Sequence, residues 1–296
     1  MTTPLNAITI DVEDWVQSVL DPDLPLTDRF VRNTHRVLEL LDAHGVRGTL
    51  FVLGLAAEKA PELVREIQRA GHEVQSHGYG HRLIHTLDRD AFRTDLERSR
   101  KLLEDITGQP ITGYRAPAFS ITQETLWALD VLVECGFRYD SSIVPVKTRR
   151  YGIDGASWFP HRLQTPSGYD LMEWPVASWQ VAGVRRPIGG GGYFRLYPFA
   201  LIRKAISQIH RSQAPAVIYM HPYELAPEEL SELPYRVPWK LRLHQSLGRR
   251  GFARKIHRLL TEFRFGPIRS VSASLAEVPV AGQAVWKPCG EMADAG

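Results

Sequence analysis

G-H-E-V-Q-S-H-G-Y-G-H, residues 71–81, joins a short strand pattern directly to two histidines, His77 and His81. Imidazole groups at this spacing can bind one metal ion, provided that another part of the chain supplies a further ligand. The stretch therefore predicts a strand that ends at a metal centre.

Acidic residues near the N-terminus offer that further ligand. The run A-I-T-I (7–10) predicts a strand, and Asp11, Glu13 and Asp14 follow it at once. One carboxylate can complete the coordination of a metal ion, and another is then free to activate water. The two stretches together indicate a hydrolytic site.

Short strand patterns alternate with amphipathic helical patterns along most of the chain. The strands are predicted at 7–10, 49–53, 72–75, 113–115, 137–140, 170–174 and 216–220. The helices are predicted at 28–44, 61–71, 89–106, 122–135 and 196–212. Residues 145–170 interrupt the alternation and predict an inserted hairpin or loop near the site. Repeated strand–helix units imply parallel strands with right-handed crossovers, so we expect an α/β fold, a distorted (β/α)7 TIM-like barrel.

Chemically active side chains come directly after the predicted strands. They are Asp11, His77, Arg115, Asp140 and His221. In a (β/α) barrel these strand ends converge on the face where active sites are built.

Composition is ordinary for a globular protein of 296 residues, with 44% hydrophobic and 23% charged residues. No apolar run approaches the ~20 residues that cross a bilayer, and the N-terminus lacks signal-peptide features, so we expect a cytoplasmic protein. The two cysteines, Cys135 and Cys289, exclude a disulfide framework. We expect a catalytic barrel over 1–230, a basic helical C-terminal extension packed on it over 231–276, and a flexible tail over 277–296.

Positive charge is concentrated near the C-terminus. Residues 235–270 contain ten Lys or Arg and a single acid, Glu262, although the whole chain has a net charge of only +3. Such a segment is either a solvated helical face or a surface for anionic lipid headgroups or an acidic glycan. Nucleic acid is disfavoured because no recognised binding motif accompanies the charge.

Five motifs resemble, in order, those of the polysaccharide deacetylase (NodB-homology, carbohydrate esterase family 4-like) family. They are D-V-E-D-W, G-H-E-V-Q-S-H-G-Y-G-H, G-Y-R-A-P-A-F-S-I, Y-D-S-S-I and V-I-Y-M-H-P-Y-E. The resemblance covers roughly residues 5–225. G-G-G-G-Y-F-R-L-Y-P (189–198) and the basic extension are similar to the exosortase-associated exopolysaccharide branch.

The resemblance implies a role for each matching residue. Asp11 matches the general base, and His77 and His81 match the metal-binding histidines. Arg115 matches the arginine that holds the base in place, and His221 matches the histidine proposed as general acid. The implied cofactor is a divalent metal ion, Zn²⁺ by expectation, with Co²⁺, Ni²⁺ or Mn²⁺ as alternatives.

Two motifs depart from the family pattern. D-V-E-D replaces an adjacent Asp-Asp, so the metal carboxylate is Asp14 or Glu13, and Asp14 is preferred for its residue type. Y-D-S-S replaces the usual acid–tryptophan motif, which leaves Asp140 as the nearest candidate partner for His221. Asp140 is alternatively a turn residue that caps Ser141 and Ser142.

The function expected from these residues is metal-dependent removal of N-acetyl groups from an amino sugar in a polysaccharide or its precursor. Pro117, Trp15 and Tyr193 are the predicted substrate-binding residues. One alternative is the same fold acting on a non-sugar amide or a cyclic imide or ureide. Another is an inactive glycan-binding protein, which would be expected to have lost the base or a metal histidine. The basic segment 236–269 is predicted to contact an anionic membrane at the inner membrane face.

Overall fold

The computed structural model describes residues 4–146, 148 and 151–275. The strands are Asn6–Val12 (β1), Thr49–Val52 (β2), Glu73–Ser76 (β3), Gly113–Tyr114 (β4), Tyr139–Asp140 (β5), His161–Gln164 (β6), Asp170–Glu173 (β7), Ser178–Val181 (β8), Val184–Pro187 (β9), Val217–Met220 (β10) and Phe265–Gly266 (β11). The helices are Arg29–Asp42 (α1), Gly54–Lys59 (α2), Pro61–Arg69 (α3), Arg89–Thr107 (α4), Trp127–Glu134 (α5), Gly191–Leu196 (α6), Phe199–Arg211 (α7), Trp239–Ser246 (α8), Phe252–Glu262 (α9) and Ile268–Leu275 (α10).

The main sheet is a curled half-barrel in the order β10-β1-β2-β3-β4-β5-β7-β6, with β11 added beside β1. Every neighbouring pair from β10 to β7 is parallel, and β6 pairs with β7 in the antiparallel sense. The predicted α/β fold with a distorted barrel of parallel strands is thereby confirmed. Parallel strands need helical crossovers, which explains the alternation seen in the sequence.

Irregular backbone seals the edge of the sheet at β10. The amide of Ala177 donates to the carbonyl of Val217 at 2.9 Å, and the amide of Tyr219 donates to the carbonyl of Gly189 at 2.6 Å. Both partners lie after β7, on the far side of the half-barrel. These bonds satisfy backbone groups that an open edge strand would leave unpaired.

The core lies between the sheet and the surrounding helices. Helix α1 buries Phe30, Val37 and Leu41 against the apolar faces of β1 and β2, as its 3.6-residue spacing predicts. Helix α4 begins where the Asp88 carboxylate accepts the amide of Ala91 at 2.8 Å, an N-cap that satisfies a free helical N–H.

Several of the described elements were not predicted from the sequence, among them α2 and the β8–β9 hairpin. Helix α2 has only six residues and is too short to show a helical period. The β8–β9 hairpin turns through Ala182 and Gly183, both with positive φ, and an alanine at such a position gives no turn signal. The interruption at 145–170 contains β6, which forms the antiparallel edge of the sheet.

The basic C-terminal segment is joined to the same sheet. Helix α9 buries Phe252, Ile256 and Leu259 in the main core, and β11 pairs with the start of β1. The expected flexible tail, 277–296, lies outside the described residues. Among those that are described, no helix is long and apolar enough to cross a bilayer.

Gly189 tests the sealed edge. A methyl group at this position would lie 2.8 Å from the carbonyl oxygen of Val217 and 2.9 Å from the amide nitrogen of Ala177, so the backbone must shift. We expect Gly189→Ala to lower the free energy of unfolding by roughly 1–3 kcal/mol. Urea denaturation measures the change. Gly251→Ala is the control, because no atom lies within 4 Å of the added methyl group; equal loss in both variants would contradict the prediction.

Candidate metal centre and hydrolytic site

The C-terminal ends of three strands bring the predicted site residues together. Asp11 lies on β1, and Glu13 follows that strand. His77 comes directly after β3, and His221 comes directly after β10. All of these side chains are largely buried, so their polar groups must satisfy one another or a ligand.

Glu13, His77 and His81 form a cluster that can hold a metal ion. The Glu13 Oε2 atom lies 3.3 Å from His77 Nε2 and 2.9 Å from His81 Nε2. One ligand atom from each residue lies within 4.8 Å of the others. The Nδ1 atom of His77 is 2.8 Å from the carbonyl oxygen of Arg115, which leaves Nε2 directed at the cluster. This is the outer hydrogen bond that orients histidine ligands in metal sites. The donor set therefore fits a divalent transition metal.

The preference for Asp14 does not match this geometry. Its carboxylate accepts the amide of Val16 at 2.9 Å and the amide of Thr27, so it ties the chain after β1 to the loop before α1. Glu13, the alternative carboxylate, is the one that faces the histidines. In the family pattern the second acid directly follows the first. Here Glu13 lies two residues after Asp11, and its longer side chain reaches the cluster from that position.

The Glu13 carboxylate is held in its ionised form. Burial opposes ionisation, but the charge of His81 and the hydrogen bonds from His77 and His81 outweigh it and hold the pKa of Glu13 well below its ordinary value. The hydroxyl of Tyr223 donates to Glu13 Oε1 at 3.3 Å. An ionised carboxylate is what metal binding requires.

Arg115 holds Asp11 in a buried ion pair. One guanidinium nitrogen lies 2.8 Å from Asp11 Oδ1 and also donates to the hydroxyl of Thr9 at 2.8 Å. The other donors bind the carbonyl oxygen of Ser141 at 3.1 Å and its hydroxyl at 2.8 Å. Asp11 therefore stays beside the cluster without being part of it.

His221 faces the same cluster from β10. Its Nε2 atom lies 3.6 Å from Glu13 Oε1 and 4.0 Å from Asp11 Oδ2, and its ring stacks on Tyr223. Burial acts to lower the pKa of His221, but the hydrogen bond to Glu224 and the charges of Glu13, Glu224 and Asp11 raise it to about 9. The carboxylates around His221 therefore favour the protonated form of its imidazole.

Glu224, rather than Asp140, is the partner of His221. The Glu224 Oε2 atom is 3.2 Å from His221 Nδ1 and accepts the His221 amide at 3.1 Å. Its other oxygen lies 3.1 Å from the Nε atom of buried Arg195. The prediction for Asp140 is therefore corrected. The His-Pro-Tyr-Glu motif places the acid three residues after the histidine, a spacing that forms a capping box around one turn.

Asp140 has a different position, within the sheet. It accepts the hydroxyl of Ser142 at 2.5 Å and its amide at 3.2 Å, as in the alternative turn interpretation. Burial, together with the neighbouring Asp140 charge, raises the pKa of Glu173 well above its ordinary value. The amide of Ile143 donates to Glu173 at 3.1 Å. The two acids thus fix the loop that carries Ser141, a partner of Arg115.

The three predicted substrate-binding residues differ in exposure. Trp15 is fully buried and packs with Val16, Tyr223 and Leu230, so the prediction that it binds substrate is wrong: its indole belongs to a hydrophobic cluster. Pro117 is buried in the turn after β4, and Tyr193 is 38% exposed on α6. Tyr193 alone of the three offers a substantial surface to a ligand.

Arg195 and Tyr223 are site residues that the sequence did not single out. Arg195 lies inside G-G-G-G-Y-F-R-L-Y-P, a motif that the sequence distinguishes by its glycines and not by its arginine. Tyr223 lies between His221 and Glu224 in a motif that was already identified. The three-residue spacing from His221 could have indicated Glu224, and Tyr223 lies in the same motif. No spacing indicates Arg195, because it reaches the site only through the position of α6, which follows the backbone that seals β10.

Two family matches divide the chain. Residues 21–139 match the polysaccharide deacetylase family, and residues 141–273 match a domain of unknown function, DUF3473. Residues 21–139 are thus similar to a polysaccharide deacetylase domain. Its histidines and Arg115 fall in the first match, and His221 falls in the second.

Curated relatives of the deacetylase domain cover part of the chain. A peptidoglycan-N-acetylglucosamine deacetylase from Bacillus cereus is 31% identical over 98 residues, which are 33% of this chain and 36% of the relative. A peptidoglycan deacetylase from Helicobacter pylori is 32% identical over 124 residues, which are 42% of this chain and 41% of the relative. The chain thus spans well under half the length of these relatives.

Two solved structures share the fold along almost the whole chain. A candidate polysaccharide deacetylase from Mycobacterium smegmatis aligns with a TM-score of 0.61 and 22% identity, over 97% of this chain and 94% of that one. The Puue allantoinase aligns with a TM-score of 0.58 and 15% identity, over 94% and 92%. Because these alignments cover more than nine-tenths of the chain, the shared fold extends over both matched regions.

Replacing each of the two candidate metal carboxylates, Glu13 and Asp14, with its amide distinguishes their roles. We expect Glu13→Gln to lower affinity for Zn²⁺ by about 10–100-fold or more, because it removes the charged oxygen that faces the histidines. Asp14→Asn should keep the affinity and lower only the thermal unfolding temperature. Titration calorimetry of the metal-free protein measures the affinity of both variants, and thermal denaturation measures the unfolding temperature. A larger loss of affinity in Asp14→Asn would restore Asp14 as the ligand.

Proposed function

We propose that this chain is a metal-dependent hydrolase that removes the acetyl group from an N-acetylated amino sugar of a polysaccharide or its precursor. The observation that carries the proposal is the placement of Asp11, fixed by Arg115, beside the Glu13–His77–His81 cluster and 4.0 Å from His221. This arrangement offers the three functions that amide hydrolysis needs, namely a base, an electrophilic centre and a proton donor. The deacetylase domain supports the same reaction class.

Glu13, His77 and His81 would hold the metal ion, for which we propose Zn²⁺, with Co²⁺, Ni²⁺ or Mn²⁺ as alternatives. Three protein ligands leave coordination positions open, as catalytic sites require. When bound there, a divalent ion would polarise the substrate carbonyl and ease the deprotonation of water.

Asp11 is the proposed general base. Arg115 holds one of its oxygens, and the other is directed toward His221 at 4.0 Å. The ion pair fixes the orientation of the carboxylate, so that its second oxygen can accept a proton from water next to the cluster. A positioned base of this kind contributes about 10²–10⁴-fold to a rate.

His221 is the proposed general acid. Its protonated ring is stabilised by Glu224, which is itself next to Arg195, so His221 can donate a proton to the departing amine. Stacking on Tyr223 fixes the plane of the ring.

The rival activities differ in substrate or in catalysis. Hydrolysis of a non-sugar amide or a cyclic ureide needs the same base and acid, so a panel of N-acetylhexosamine oligomers and cyclic ureides is the direct comparison. An inactive glycan-binding protein needs neither. The complete set of base, acid and metal-type residues in this chain argues against that alternative.

The motif at 189–198 and the basic segment 236–269 support two further parts of the proposal. We place the chain in the exosortase-associated exopolysaccharide branch and propose contact with an anionic membrane at its cytoplasmic face through 236–269. Eight basic residues of this segment are exposed, which supports the contact: Arg236, Lys240, Arg242, Arg250, Arg254, Arg258, Arg264 and Arg269. Arg249 and Lys255 instead bind backbone carbonyls inside the fold.

Asp11→Asn tests the base. We expect acetate release from N-acetylglucosamine oligomers to fall by about 10²–10⁴-fold, because the amide cannot accept the proton. The zinc content should stay at the wild-type level, since Asp11 lies outside the cluster. Enzymatic acetate assays and elemental analysis measure the two quantities. Full activity with normal zinc would refute the assignment, and wild-type ureide ring opening without acetate release would favour the rival substrate.

Glu224→Gln tests the acid through pH. The Glu224 charge stabilises protonated His221, so its removal lowers the pKa of His221, and the proton-donating form is lost at lower pH. We expect the alkaline limb of the kcat/KM profile to move down by roughly one pH unit or more. Glu232→Gln, an exposed carboxylate of the following loop, should leave the limb in place. An unmoved limb in Glu224→Gln would contradict the proposed role.

A further inference from the structure

Helix α8, Trp239–Ser246, exposes an apolar ridge. The ridge consists of Trp239, Leu243 and Leu247, with exposed fractions of 70%, 55% and 45%. These positions are four residues apart and lie on one side of the helix and its end. No residue of α8 is fully buried, so the helix stands out from the surface of the fold.

The opposite side of α8 attaches the helix to the rim of the hydrolytic site. The Gln245 side chain is 3.5 Å from the indole nitrogen of Trp15, and its carbonyl accepts Arg195 at 2.7 Å. Arg249 donates to the same carbonyl at 2.7 Å and to the carbonyl of Tyr223 at 3.0 Å. Leu241 packs into the cluster that contains Trp15 and Tyr223. The helix is thus fixed to the loops that carry Glu13 and His221.

Along the chain, the charged residues next to the ridge are all basic. From residue 233 to residue 261 the sequence contains no Asp or Glu. Lys240, Arg242 and Arg250 are exposed, and the Lys240 ammonium lies 5.7 Å from the centre of the Trp239 ring. Exposed Trp and Leu between basic side chains are suited to the boundary of an anionic lipid layer, where indole lies at headgroup level and Lys and Arg bind phosphate.

We propose that α8 docks on an anionic membrane, with Trp239, Leu243 and Leu247 inserted and Lys240, Arg242 and Arg250 at the headgroups. Docking in this position places the rim of the site next to the lipid surface. The substrate of the site is accordingly an N-acetylated glycan anchored to a lipid, and this inference rests on the proposed function. Within segment 236–269 the proposal assigns insertion to one helix and one ridge.

Sedimentation with vesicles tests the docking. We expect the full chain to bind vesicles of equal parts phosphatidylcholine and phosphatidylglycerol and not vesicles of phosphatidylcholine alone. The ridge variant Trp239→Ala/Leu243→Ala/Leu247→Ala and the charge variant Lys240→Gln/Arg242→Gln/Arg250→Gln should each bind at least about tenfold more weakly. Brominated lipid should quench the fluorescence of the wild type more than that of Trp239→Phe.

Helix α7 supplies a matched control. Leu201, Arg203 and Lys204 are exposed there, and Leu201→Ala/Arg203→Gln/Lys204→Gln changes the same kinds of side chain on another face. This control should bind vesicles as the wild type does. Equal loss in the control, unchanged binding in both α8 variants, or no binding by the wild type would each overturn the proposal. Concentration-dependent dimerisation that the ridge variant abolishes, without vesicle binding, would also overturn it and assign the ridge to a second copy.

The effect of α8 docking on catalysis is measured as the ratio of two rates of acetate release. Acetate release from an N-acetylated glycolipid in the anionic vesicles, divided by release from a soluble oligosaccharide, should fall in both α8 variants and stay unchanged in the α7 control. Asp11→Asn should lose acetate release and keep vesicle binding, so a failure of the proposed function is distinguishable from a failure of docking. An unchanged ratio in the α8 variants would refute the lipid-anchored substrate.

Discussion

The guanidinium of Arg115 lies where three strands end and is completely shielded from solvent. It binds Thr9 and Asp11 of β1 and both polar groups of Ser141 beyond β5, while its own backbone follows β4. Removing one partner of such a buried pair costs about 3–5 kcal/mol, because the remaining charge is left without compensation. Arg115 therefore joins the end of β1 to the loop after β5 and orients Asp11, the proposed base, while its backbone carbonyl directs His77.

The parallel arrangement of the strands and the position of the histidines could be predicted from the sequence. Each motif follows an apolar run, and parallel strands necessarily bring such ends to one edge. The same reasoning placed Asp11, Arg115 and His221 correctly on strand ends. Local pattern was enough here because the identity of the partner strand does not change which end of a strand carries the site.

Choices between neighbouring polar residues could not be predicted. Glu13 and Asp14 are adjacent, and only the path of the chain after β1 sends one to the histidines and the other to the Thr27 amide. Asp140 is the partner of His221 that the sequence predicts, but the turn at Pro222 places Glu224 there instead. Trp15 was assigned to substrate because sequence does not reveal that Leu230 and Tyr223 cover it. These outcomes depend on tertiary contacts, not on residue type.

The boundary between the two matched regions passes through a single sheet, between β5 and β7. Residues before it contribute the proposed base, and residues after it contribute the proposed acid, the support of Arg115 by Ser141 and the backbone that seals β10. Recombination at residue 140 would therefore yield two incomplete sheets instead of two exchangeable modules. A fragment of this chain that contained only one of the two regions would therefore lack part of the sheet and part of the proposed catalytic set.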